Sequence, residues 1–265
     1  MTALPAYTLA RREVVRFLRQ RSRVLGALAT PVLLWFIIGS GLGDSFHTAG
    51  AGDGMGSLEF FFPGTMLLIV LFTAIFSTIS IIEDRHEGFL QSVLVAPVPR
   101  SAVVLGKMLG GTLLSVAQVL LMLVILPFLG VRMGVESFFV TAGILVLVSF
   151  GLTGLGFVLA WRLDSVQGFH AVINVLLTPM WMLSGAFFPA SGAPRWLRLV
   201  MAANPMTYAL AALRRGLYLG TARVEAAGTA LPAFGLSLVI SGAFAVVMFV
   251  FAVRVASQAT AGDLK

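Results

Sequence analysis

The chain has 265 residues, 58% of them hydrophobic and only 11% charged, whereas a soluble globular chain carries about 25% charged residues. So few polar side chains cannot cover a water-exposed surface, which excludes a soluble enzyme, a disordered tail and a nucleic-acid-binding domain and leaves a polytopic membrane protein. The formal charge of +7 then reads as basic segments held against anionic lipid on the cytoplasmic side, and the absence of cysteine removes disulfides and thiolate sites.

The chain opens on a lead-in segment, 1–23. At helical spacing Tyr7, Ala10, Val14, Phe17 and Leu18 fall on one side, with Arg12, Arg16, Arg19 and Arg23 almost opposite. This predicts an amphipathic helix on the cytoplasmic membrane surface, its arginines at the lipid headgroups. A cleaved signal peptide would also place arginines before an apolar run, but here the polar lead-in is too long and the apolar run already spans.

Stretches of bilayer length follow, giving one transmembrane domain over 24–253 with spans at about 24–43, 60–82, 104–127, 137–161, 166–188 and 228–253, and a tail at 254–265. Their continuous apolar character selects helices over barrel strands, so the expected fold is all-α. Six crossings put both termini on one side. Basic residues choose the cytoplasm: Arg85, Arg100, Lys107, Arg162, Arg254 and Lys265 join the lead-in arginines there, against Arg132, Arg195, Arg198, Arg214, Arg215 and Arg223 opposite.

The cytoplasmic loop 83–103 is long enough for structure of its own. Glu83, Asp84, Arg85 and Glu87 end the second span at the water interface, and Phe89, Leu90, Val93 and Leu94 make an apolar stripe at helical spacing. Pro97 and Pro99 stop that short helix, and Ser101 is placed to cap the third span. In that span Gly106 and Gly110 have the spacing that lets a neighbouring helix approach closely. An apolar stripe beside a membrane rests on lipid or docks into another protein.

After the fifth span, segment 189–216 is punctuated by Pro189 and Pro194, then by Asn204 and Pro205 as N-cap and first residue of a second helix. Arg214 and Arg215 fall in its last turn and Gly216 is placed to close it. The uncharged stretch between Arg198 and Arg214 is too short to cross, which predicts an external helical hairpin dipping into the outer leaflet or packed over the spans.

The pattern Ser-Gly-x-Phe-Phe-Pro, then Pro194-x-Trp196-Leu, then Asn204-Pro205-Met-Thr-Tyr208 and the arginines that follow, Arg214 among them, resembles the signature of type-2 ABC exporter membrane subunits, a family that includes daunorubicin-resistance and nodulation-factor export permeases. Glu83 through Gly88, Leu94, Ala96-Pro97, Arg100 and Gly106-Lys107 match the family's second cytoplasmic motif, with Gln91 a departure where many relatives carry an acid. The resemblance implies that 1–23 is the connecting helix and that the 83–103 loop, through Glu83, Arg85, Glu87, Gly88, Phe89, Leu90, Leu94, Pro97, Arg100 and Lys107, couples to a cytosolic ATPase. It also implies that 189–216 is a re-entrant hairpin, and that the chain sits in the bacterial inner membrane as a homodimer, or a heterodimer with a similar chain, with two ATPase subunits.

The chain carries no phosphate-cradling loop: Gly106-Lys107 is followed by Met108, with Ser101 where the first glycine belongs. ATP and magnesium are therefore expected on the partner ATPase, with no cofactor or metal in this chain. Phe72, Phe76, Asn174, Met180, Trp181 and Phe187 are candidates to line a path for an apolar or amphipathic cargo. Two rivals are an intramembrane protease, for which His170 and Asn174 supply H-x-x-x-N without the accompanying acids, and a secondary transporter, which ordinarily shows internal repeats and intramembrane charges.

Overall fold

The computed structural model describes residues 3–42, 56–131, 133–186, 193–221 and 232–258, and every regular element among them is helical. In chain order these are α1 (Ala3–Arg19), α2 (Arg21–Leu42), α3 (Ser57–Ser77), α4 (Ile79–His86), α5 (Phe89–Val95), α6 (Arg100–Leu123), α7 (Val135–Arg162), α8 (Val166–Trp181), α9 (Arg195–Ala203), α10 (Pro205–Leu217) and α11 (Phe234–Ser257). A 3-10 turn at Leu126–Leu129 follows α6, and a wide turn at Met182–Ala186 ends α8. Five helical stretches among the described residues are long and apolar enough to cross a membrane: Ser57–His86, Arg100–Leu123, Val135–Arg162, Val166–Ala186 and Phe234–Ser257. In α2 the apolar stretch, Leu28–Gly41, is shorter than these five.

The centre of the bundle is α3. A helix apolar on every side has no face for water, and α3 buries Phe62, Met66, Leu67, Ile69, Leu71 and Ile75 almost completely, with α2, α6 and α7 packed around it. Pro63 lies inside this helix and has no N–H for the carbonyl of Glu59 four residues back. The hydroxyl of Tyr218 takes that carbonyl at 3.1 Å. Gln118 of α6 is satisfied the same way inside the core, accepting from the Thr73 hydroxyl of α3. Gln118→Leu is expected to lower the melting temperature of the purified protein only slightly, by the equivalent of about 1 kcal/mol, because one interhelical hydrogen bond in a bundle of this kind is worth that much.

Small residues set the closest approaches. A Cβ on Gly151 would lie 2.8 Å from Phe244, and one on Gly154 2.9 Å from the Cβ of Met248, so α7 and α11 run parallel in contact. Gly216, expected to close α10, instead lies inside it: a Cβ there would meet Ile144 of α7 at 2.8 Å, and the helix continues to Leu217. Close packing, not a turn, is what this glycine serves. Ser101 is likewise no cap. The carbonyl of Pro99 already accepts from Ala102 at 2.9 Å, and α6 starts at Arg100, two residues before a helix capped by that serine would.

Segments expected on one side of the membrane lie together at one end. Arg85, near the end of the stretch Ser57–His86, donates to the carbonyl of Trp161 at 2.6 Å and to that of Leu163 at 3.3 Å, beyond the end of α7. At the opposite end the hydroxyl of Ser137, opening α7, lies 2.6 Å from the carbonyl of Gly216.

Candidate coupling site

The site is built where α1 crosses α6. Gly106 and Gly110 supply the crossing: added Cβ atoms would lie 2.8 Å from the Ala6 carbonyl oxygen and 2.7 Å from the Glu13 Cβ. The close neighbour expected for these glycines is the lead-in helix itself. It buries Ala6, Leu9, Ala10, Glu13 and Phe17, a stripe at helical spacing with one acid in its middle. Tyr7 and Leu18, expected with Phe17 on the membrane-facing apolar side, lie beside this stripe and are 65% and 58% exposed.

Glu13 is buried because it has a partner. The ammonium of Lys107 donates to Glu13 Oε1 at 2.6 Å, to the hydroxyl of Ser80 at 3.2 Å and to the carboxylate of Asp84. Asp84, with no exposed side-chain surface, is also gripped by two nitrogens of Arg12 at 3.0 and 2.8 Å and by Arg16 at 2.6 Å. Three cations converge on this carboxylate, and a two-pronged arginine is the strongest way to hold one. The bond to Asp84 raises the Arg12 pKa above its ordinary value against the opposing effect of partial burial. Arg16 reaches on to Glu83 at 2.9 Å and Glu87 at 3.2 Å.

Arg12 and Arg16, expected at lipid headgroups, therefore face the acids that close α4, and the reason is electrostatic: buried carboxylates need cations more than headgroups do. Arg19 is exposed, while the Arg23 side chain lies outside the described residues. Arg85 clamps the turn between α7 and α8, adding Asp164 Oδ1 at 3.2 Å, with His86 2.8 Å from the Asp164 carbonyl.

Glycine 88 turns the chain from α4 into α5 with φ +75°, a conformation that costs other residues roughly 1–2 kcal/mol. The short helix that follows has two faces. Its inner face holds the buried Leu90 and the half-buried Phe89, over whose ring the Arg12 guanidinium sits at 3.7 Å. Half-buried Val93 and Leu94 continue toward it. Gln91, Ser92, Val95 and Pro97 are exposed, Val95 by 83%, and Arg100 is the half-buried first residue of α6. The apolar stripe read from the sequence thus points mainly into the fold, and the free face of α5 is the one beside it.

At the other end of the bundle α9 and α10 meet at Asn204-Pro205, as the punctuation predicts. The Asn204 carboxamide accepts from Met206 N at 3.0 Å as an N-cap, and its Nδ2 donates to the carbonyl of Met180 at 2.6 Å. Asn204→Ala removes both bonds and is expected to cost about 1–2 kcal/mol in thermal unfolding of the purified protein. The Tyr208 hydroxyl donates to Ala202 O at 2.8 Å, closing the corner between the helices. Arg214 is buried over the Phe60 ring at 4.5 Å and donates to Gly185 O at 3.3 Å. Pro194 caps α9 and Trp196 is 65% exposed; Pro189 lies outside the described residues.

The family model described as ABC-2 type transporter matches residues 6–218, which hold both the charged crossing and this helical corner. The chain belongs to the ABC-2 type transporter family. It is 28% identical over 210 residues to the transport permease ycf38 of Cyanophora paradoxa, covering 78% of this chain and 72% of that one. It is also 28% identical over 242 residues to the inner membrane transport permease YadH of Escherichia coli strain K12, covering 88% of each. A daunorubicin resistance ABC transporter permease protein, DrrB1 of Streptomyces coeruleorubidus, is 28% identical over 171 residues, 62% of this chain and 59% of its own.

This ABC-2 type transporter brings some of the path candidates together and separates others. Phe72 and Phe76 meet at 5.4 Å with their rings tilted and, with Gly26, Thr30, Pro31, Ile79 and His170, line a cavity of about 320 Å³ between α2, α3, α8 and the start of α4. His170 meets Phe76 edge-on at 5.2 Å. Trp181 is not in that cavity: its indole donates to Gly64 O at 2.8 Å, and the Met180 carbonyl is held by Asn204. Asn174 is exposed on α8, and Phe187 lies outside the described residues.

Glu13, Asp84 and Ser80 complete the site without having been singled out as functional in the sequence. A signal exists: Glu13 is the sole acid of the lead-in segment and Lys107 the sole charge between Ser101 and Val131. Lone opposite charges in apolar surroundings are candidates to pair.

Proposed function

We propose that the chain is the membrane subunit of an ATP-driven exporter, crossing the inner membrane six times with α2 as the first span and both termini in the cytoplasm. Two copies pair, and a separate cytosolic ABC ATPase docks on the exposed face of α5 in each. Nucleotide-driven movement of the ATPases pushes α5. The clamp of Arg12, Arg16 and Lys107 on Asp84, with Glu13 held by the same Lys107, makes α1, α4, α5 and the start of α6 move as one lever, and the second and fifth spans reorient around a path for an apolar or amphipathic cargo. In this reading α9 and α10 form the re-entrant hairpin at the outer end.

The observation that carries the proposal is the two-faced short helix. Its inner face is pinned by Leu90 and by Arg12 over Phe89, while Val95 and its neighbours stand free at the end of the bundle where α1 and α4 meet. A family whose relatives are named transport permeases accounts for such a face better than either rival, a secondary transporter or an intramembrane protease, because neither needs a cytosolic docking helix.

Val95→Asp tests it. The variant is expected to insert and fold normally, since Val95 packs on little, yet to lose co-purification with the ATPase encoded for it, recognised by its phosphate-binding loop. Undiminished capture of that ATPase would remove α5 as the docking helix.

A further inference from the structure

The external segment carries charge that neither the bundle nor the docking helix uses. From Ser165 to Val224 the chain has five arginines, Arg195, Arg198, Arg214, Arg215 and Arg223, and no acidic residue. Basic residues on the outer side run against the usual bias of membrane chains, so each calls for a local partner. Arg214 is held by the carbonyl of Gly185 and the ring of Phe60, and Arg215 by the carbonyl of Pro232. Arg195 and Arg198 differ: both are exposed on α9, and neither guanidinium has a hydrogen bond or ion pair among the described residues.

The position and shape of α9 select the partner. The stretch Val166–Ala186 has 21 residues and rises roughly 30 Å, the thickness of a hydrocarbon core, so Gly185 and Ala186 mark its outer edge. The Met201 side chain lies at that edge, 3.6 Å from where a Cβ on Gly185 would stand. Asn204, just past the end of α9, holds the carbonyl of Met180, deeper in the same stretch, so α9 slopes inward from its arginine end. At helical spacing Met201 and the half-buried Leu197 face the protein. Arg195, Arg198 and Ala202 share one outward flank, and the exposed Trp196, Leu199 and Val200 the other. A basic flank beside an aromatic and aliphatic one, at the hydrocarbon edge, is the pattern of a helix lying in the lipid interface, where tryptophan is enriched.

We infer that α9 is a docking surface for anionic phospholipid of the outer leaflet, with Arg195 and Arg198 gripping lipid phosphates while Trp196, Leu199 and Val200 lie against the acyl chains. This rests on the topology proposed above and adds what anchors its hairpin. A second copy of the chain does not suit the surface, because it presents the same acid-free segment and like charge would face like across a two-fold contact. Phosphate oxygens match the fork of a guanidinium, which can give them two bonds at once.

The chain has no cysteine, so Ala202→Cys, on the arginine flank one turn beyond Arg198, takes a nitrobenzoxadiazole fluorophore alone. The labelled chain, with its ATPase, is placed in vesicles of equal parts phosphatidylcholine and phosphatidylglycerol, and one or the other lipid carries a nitroxide high on an acyl chain at the same mole fraction. Nitroxide phosphatidylglycerol is expected to quench at least about twofold more than nitroxide phosphatidylcholine, because an arginine near the surface favours anionic lipid. The same fluorophore at Val246→Cys, exposed midway along α11, is expected to show no preference. Arg195→Gln with Arg198→Gln is expected to abolish the preference at Ala202→Cys, while Arg195→Lys with Arg198→Lys keeps most of it, which a purely structural role would not predict. High salt is expected to weaken it. Equal quenching by both lipids, or a preference that survives the double glutamine change, overturns the phosphate grip. Quenching by neither lipid overturns the lipid surface altogether and places another copy or another protein over α9. ATPase capture through Val95 is measured on the same vesicles: loss of the lipid preference with capture intact refutes this inference alone, and loss of capture refutes the exporter reading.

Discussion

Asp84→Asn is expected to destabilise the protein by about 3–5 kcal/mol, the cost of leaving buried charge without its counterion. Asp84 has no exposed side-chain surface and serves Lys107, Arg12 and Arg16 together. Without the carboxylate charge, Lys107 keeps Glu13 as its remaining acid, and that acid is shared with Arg12 at 3.5 Å. Thermal unfolding of the detergent-purified protein reads the loss. The pair Asp84→Leu with Lys107→Met removes opposite charges together and is expected to recover about half of it, since apolar replacement of a buried ion pair is often close to neutral. A single variant as stable as the parent would show that the cluster is hydrated and weak.

Gly106→Val and Gly110→Val are expected to release α1 from α6. At both positions the added atoms meet the opposing helix below 3 Å, at the backbone oxygen of Ala6 and the Cβ of Glu13, neither of which can swing aside. Overpacking of this kind costs about 1–3 kcal/mol, but separation of the helices also draws Arg12 and Arg16 off Asp84, so the loss of ATPase coupling exceeds the loss of stability. Protease cleavage near the lead-in helix checks the release. Gly143→Val is the control: the Cβ position on α7 meets nothing within 4 Å, and no change is expected.

Much of this architecture is legible locally. Apolar runs give the membrane helices because the bilayer sets a length and forbids charge. Asn204-Pro205 gives the corner between α9 and α10 because cap and proline chemistry act over a few residues. Gly106 and Gly110 announce a close neighbour without naming it. What escapes is the identity of partners distant in sequence. Arg12 and Arg16 have the pattern of a headgroup-binding face, and nothing within α1 shows that acids some 70 residues away outcompete lipid for them. Phe89 and Leu90 look like a docking stripe for the same reason, since only the position of Arg12 reveals that they face inward. Gly216 and Ser101 were expected as helix ends from residue type, whereas Ile144 and the carbonyl of Pro99 decide their roles.

The account stands on the contact between α5 and the ATPase, and proximity measures it directly. With Val95→Cys as the sole cysteine of the chain, a short thiol-to-amine cross-linker applied to vesicles containing both subunits is predicted to join this position to a protein bearing a phosphate-binding loop, while Val175→Cys, exposed midway along the membrane-length stretch Val166–Ala186, gives no such product. Absence of that product from Val95→Cys, in vesicles where the ATPase is bound and hydrolysing ATP, would contradict the account.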